Sequence, residues 1–85
     1  MPRFFFYVFN GHGEIPDEEG SDLASHGAAH RIALDSIRSM IAEDARKGLI
    51  DLTGYIEVRD DKQQELMTVP YAEAFELRMP TDRSS

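Results

Sequence analysis

The sequence predicts an α+β domain with the element order β-β-α-β-β, a small sheet of three or four strands with one long amphipathic helix packed on one face. Three observations carry this. A run of aromatic and β-branched residues opens the chain at Phe4-Phe5-Phe6-Tyr7-Val8-Phe9; a helical apolar period spans His26 to Lys47; and two short alternating segments follow, Gly54 to Arg59 and Glu65 to Val69. The opening run holds five of the eight aromatic side chains (five Phe and three Tyr, with no Trp) and has no polar position to mark a solvent face. Alternate side chains of a strand point to opposite sides, so Phe4, Phe6 and Val8 face one way and Phe5, Tyr7 and Phe9 the other. One helix covers one of these surfaces. The other is left for a partner or for water, and the pattern does not fix which of the two the helix takes.

Each element has a local reason. The first strand, about residues 3–10, ends at Asn10-Gly11-His12-Gly13, residues that tolerate the positive φ of a tight hairpin. A short second strand is expected over 14–17, held to an edge by Pro16, which has no N–H to give a ladder. Glu18 to Asp22 reads as an acidic turn. Ser25 is suited to cap the helix that follows, and Gly48 stops it after Arg46 and Lys47, cations placed where the helix dipole favours them. At 100° per residue Ala33, Leu34, Ile37, Met40 and Ile41 share one face, with Arg31, Asp35, Arg38, Glu43 and Arg46 opposite. After the linker 49–53, Ile56 and Val58 alternate with Tyr55, Glu57 and Arg59. Asp60 to Gln64 forms a turn, and Pro70 ends the last strand and opens one short helical turn. The domain is expected over 1–79, with a polar, disordered tail over 80–85.

Composition narrows the function. The 85 residues carry 9 Lys and Arg against 16 Asp and Glu, a formal charge of −7. No Lys or Arg lies between Arg3 and Arg31, where Glu14, Asp17, Glu18, Glu19 and Asp22 accumulate. Such a surface repels phosphate, so nucleic acid is disfavoured and a basic protein partner is easier to bind. There is no cysteine, which removes disulfides and thiol chemistry and fits a cytoplasmic protein. No run approaches the roughly 20 apolar residues of a membrane span. Cofactors are not expected, and no catalytic constellation stands out. Ser21, Ser25, Ser36 and Ser39 lie in a turn, at a cap and on the helix, and carboxylates are too abundant for any pair to be singled out.

Two constellations remain. Phe5, Tyr7, Phe9 and Tyr55 form a candidate interface on the sheet, giving a homodimer or a contact with another protein. His26 and His30, four apart on the helix, with His12 in the preceding turn, have the residue types of a zinc site, and make a small-molecule or metal-binding protein the alternative. The same projection puts His26 and His30 at the head of the apolar stripe, where a histidine caps a core and bonds a carboxylate or carbonyl. Asp17, Glu19 and Asp22 lack the spacing of a calcium loop and read as a solvated turn.

The opening Met1-Pro2-Arg3-Phe4-Phe5-Phe6, the Asn10-Gly11 turn, the Asp17-Glu18-Glu19-Gly20 segment and Thr68-Val69-Pro70-Tyr71 resemble a family of small bacterial proteins of unknown function, over roughly residues 1–77. The family pattern often has His where this chain has Tyr7. The resemblance implies no activity. In layout alone the chain is also similar to the N-terminal part of HicB-like antitoxins, which implies an interaction role and a basic toxin as the kind of partner.

Overall fold

The strand expected from the aromatic run forms as β1 (Arg3–Asn10), and the sheet is built around it. The computed structural model describes residues 1–80; of the tail expected over 80–85, all but Pro80 lies outside the described residues. Along the chain follow β2 (Gly13–Ile15), β3 (Ser21–Asp22), α1 (His26–Arg46), β4 (Tyr55–Arg59), β5 (Glu65–Pro70) and a 3-10 turn over Tyr71–Ala74. The architecture is α+β, as the sequence predicts, with every strand pair antiparallel and the order β2-β1-β4-β5. The fifth strand, β3, pairs with β1 at Arg3 and Phe4 and is a two-residue addition to the expected order.

Strand β2 is shorter than expected. It pairs Val8 with Ile15, Phe9 with Glu14 and Asn10 with Gly13, and stops before Pro16, which has no N–H to continue the ladder. The chain then leaves β1 and returns to it at Ser21, and Asp17 bridges the gap. Its Oδ2 accepts the Phe6 N–H at 3.1 Å, a group that the detour leaves without a strand partner, while Oδ1 accepts from Glu19 and Gly20. Gly20, at φ 74°, has no room for a side chain: a Cβ there would lie 2.9 Å from both Arg3 Cγ and the Phe5 ring. Arg3 donates to the Glu19 carbonyl and pairs with Asp22 at 3.2 Å. The acidic segment expected to be a solvated turn is therefore partly structural, because an edge strand with an interruption needs a replacement acceptor.

Helix α1 begins where Ser25 Oγ accepts the Ala28 N–H at 3.1 Å, and ends in a turn closed by Gly48 at φ 93°. Its buried residues, Ala29, Ala33, Ile37 and Ile41, recur every four positions. They meet Phe4, Ile56, Val58 and Val69 on the sheet, with Phe6, Val8, Leu34 and Met40 partly buried at the margin. This settles which face the helix covers: it is the Phe4, Phe6, Val8 side. The small Ala29 and Ala33 leave space for Phe4, whose ring meets His26 edge-on at 5.6 Å.

Tyr71 and Ala74 of the 3-10 turn close the core, and the Tyr71 N–H bonds the Gly54 carbonyl at 2.9 Å. A Cβ at Gly54 would fall 2.6 Å from the Phe9 carbonyl oxygen and 2.7 Å from the Tyr71 ring. Gly54→Ala is expected to destabilise by about 1–3 kcal/mol, the usual range for overpacking. Gly11→Ala, where a Cβ meets nothing within 4 Å, should stay within about 0.5 kcal/mol of the parent. Urea unfolding of both variants checks the pair; equal stabilities would refute the packing described.

Candidate functional site: the open face of the sheet

The registers define the face that α1 does not cover. Across the strands it reads Glu14, Phe9, Tyr55, Pro70 in one row, Tyr7, Glu57, Thr68 in the next, and Phe5, Arg59, Glu65 in the third. All four residues expected at an interface, Phe5, Tyr7, Phe9 and Tyr55, are thus brought to one surface, but their exposure differs. Phe9 and Tyr55 stack with ring centroids 4.9 Å apart and planes 14° from parallel, and Tyr55 is 37% exposed. Phe5 is half-buried beside the Gly20 turn.

Tyr7 is only 8% exposed, because the chain covers it. The Arg59 guanidinium lies 4.0 Å from the ring centroid. Glu57, directly across from Tyr7, holds that guanidinium through Nε and Nη2, and this bonding raises the Arg59 pKa. The Tyr7 hydroxyl donates to Gln63 Oε1 at 3.0 Å, which also receives Arg59 at 3.3 Å. Gln63 reaches this position from the β4–β5 turn with φ 67°, the one non-glycine residue at positive φ among those described. The sequence reading missed this lid, although alternation already placed Glu57 and Arg59 on the Tyr55 side of β4.

At the end of the face beside the β1–β2 hairpin, Phe9, Tyr55, Glu14, Thr53 and the backbone of Gly11 and Gly13 line an open depression of about 500 Å³. On the far side of the hairpin a cleft of about 370 Å³ is lined by Asn10, His12, Met40, Glu43, Asp44, Asp51 and Tyr71, among others. In that cleft burial raises the pKa of Tyr71; Asn10 opposes the rise by hydrogen bonding, and the Asp44 and Asp51 charges add to it. Thr53 lowers the Asp51 pKa, its hydroxyl and N–H donating to Oδ1 at 2.7 and 3.0 Å.

The three histidines are not brought together. His12 lines the cleft with Met40, Glu43 and Asp44 of α1, whereas His26 and His30 open the same helix; at 1.5 Å per residue the two places are roughly 20 Å apart. His30 Nε2 bonds Glu73 Oε2 at 2.6 Å and His26 rests against Phe4. Among the described residues no three His, Cys, Asp or Glu groups are placed to hold a metal ion. No helix among them is long and apolar enough to cross a membrane.

A five-stranded antiparallel sheet with one helix on one face and a partly lidded aromatic surface on the other defines a small α+β domain. Residues 3–72 match the family model described as Domain of unknown function (DUF6894), and the chain belongs to that family. No curated protein and no solved structure matches it.

The raised Tyr71 pKa fixes the sign of one pH effect. The fold favours the neutral phenol, so this contribution is complete below the ordinary tyrosine pKa of about 10 and is lost as pH rises through the higher folded value. Urea midpoints measured from pH 8 upward should fall on the alkaline side, and fall less steeply for Tyr71→Phe. Superimposable alkaline limbs in the two proteins would contradict this.

Proposed function

We propose that this domain is a non-enzymatic interaction module that binds protein, a second copy of itself or another chain, through the open aromatic face of its sheet. The observation that carries the reading is the stacked Phe9–Tyr55 pair lying on the face that α1 leaves uncovered, with Phe5 on the same side. Aromatic side chains of this kind concentrate binding energy at protein interfaces, since each brings a large apolar area at little entropic cost. Glu14, Glu57, Glu65 and Asp22 outnumber Arg3 and Arg59 on this face, and the chain carries −7 overall, which favours a basic partner over nucleic acid. A chain without cysteine has no disulfide to lose in a reducing cytoplasm, where we place it. The likeness to HicB-like antitoxins, one of layout alone, implies a basic toxin, a partner of the same charge sign.

A second reading, ligand binding by the histidines, has one observation in its favour: His12 lines the cleft of about 370 Å³. The helix-length separation of His12 from His26 and His30 weighs against a shared metal site. A calorimetric titration with zinc is expected to give no saturable heat, and a saturable one-to-one isotherm lost in His12→Ala would establish the second reading instead.

The face itself is tested by light scattering over a concentration series, comparing the parent with the Phe9→Ser, Tyr55→Ser double variant. The parent should show a mass rising above 9.6 kDa toward the top of the series, and the variant should stay monomeric with a cooperative unfolding transition. Indistinguishable mass curves from two folded proteins would remove the aromatic face as the site of association.

A further inference from the structure

Resting on that reading, we propose that the corner formed by Phe9, Tyr55 and Glu14 receives an arginine side chain of a basic protein partner. The same sheet face already contains this recognition in intramolecular form. The Tyr7 ring carries the Arg59 guanidinium 4.0 Å from its centroid, and the cross-strand Glu57 carboxylate bonds that guanidinium. Two residues further along β1, on the same face, Phe9 repeats the arrangement: it has a carboxylate, Glu14, opposite it on β2 and a ring, Tyr55, opposite it on β4. Here the corner offers two rings in place of one, stacked nearly parallel with centroids 4.9 Å apart. Glu14 is exposed and makes no ion pair among the described residues.

Geometry and charge then select the occupant. The depression of about 500 Å³ is open to solvent, and Gly11 and Gly13 place no side chain in it. A planar guanidinium lies flat on a ring face while its forked N–H groups engage a carboxylate, whereas a lysine ammonium is a compact point charge that does only one of these well. A phosphate-bearing partner would meet Glu14 directly. A second copy brings another chain of charge −7 and so associates only at the top of a concentration series, whereas a distinct basic partner is the tighter complement.

The test uses the full chain and three blocked pentapeptides, Gly-Arg-Gly-Arg-Gly and its lysine and citrulline counterparts, followed by NMR. The arginine peptide should produce saturable shifts centred on Phe9, Glu14 and Tyr55, leaving Tyr7 and Arg59 unmoved. Lysine should bind about fivefold more weakly, citrulline not measurably, and Glu14→Gln should weaken the arginine peptide about fivefold, in line with exposed cation–π and ion-pair contacts. Shifts that are absent, or scattered over Glu18, Glu19 and Glu43 and unchanged by Glu14→Gln, would overturn the proposal. So would tighter binding of a single-stranded oligonucleotide at the same corner. If the peptides fail while the Phe9→Ser, Tyr55→Ser variant still abolishes association by light scattering, the interaction face stands and the arginine site falls.

Discussion

The structure depends on one constraint: β1 is apolar on both sides, and the chain has a single helix to cover it. Burying a large aromatic side chain is among the strongest driving forces available to so short a chain, worth up to about 3 kcal/mol each by area. Helix α1 takes the side with Phe4, Phe6 and Val8, because the residues opposite them, Ile56 and Val58, and then Val69, complete an apolar surface there. The remaining side is handled piecemeal. Arg59, Glu57 and Gln63 close over Tyr7, the Gly20 turn partly shelters Phe5, and Phe9 and Tyr55 shield one another by stacking. What remains uncovered is concentrated beside the hairpin, where a carboxylate and two rings meet.

The edge of β1 imposes a second demand that shapes the acidic segment. Backbone N–H groups need acceptors even where no strand follows, and the detour from Ile15 to Ser21 leaves Phe6 without one. Asp17 supplies it and at the same time ties down its own turn through Glu19 and Gly20. Arg3 then fastens the returning chain through Asp22. The negative charge that looks like simple solubilisation thus has two parts: Asp17 and Asp22 hold the edge, while Glu14 and Glu18 are left to set the sign of the surface.

Much of the fold was legible because it is written in local chemistry. Ser25 and Gly48 bound the helix as caps do, the apolar period picked out Ala33, Ile37 and Ile41, and the alternation of Ile56 and Val58 marked β4. The unreadable parts are those that depend on distant residues. Strand β3 is two residues long and has no pattern of its own; it exists because β1 offers an edge. His30 meets Glu73 across 43 positions, and only its place at the head of the apolar stripe hinted at a carboxylate partner. Tyr7 was expected on an open surface because alternation assigns a face and says nothing of what folds over it. His12 shares a residue type with His26 and His30 but sits at the opposite end of the helix.

Hydroxyl-radical footprinting of the dilute, monomeric protein tests most directly whether the second face of β1 is open. Phe9 and Tyr55 should be oxidised readily, Tyr7 slowly, and Phe4 at the rate of a buried core residue, with Phe9 and Tyr55 becoming protected as the protein associates. Phe9 and Tyr55 as protected as Phe4 in the monomer would contradict the account, since the chain would then cover both faces by itself.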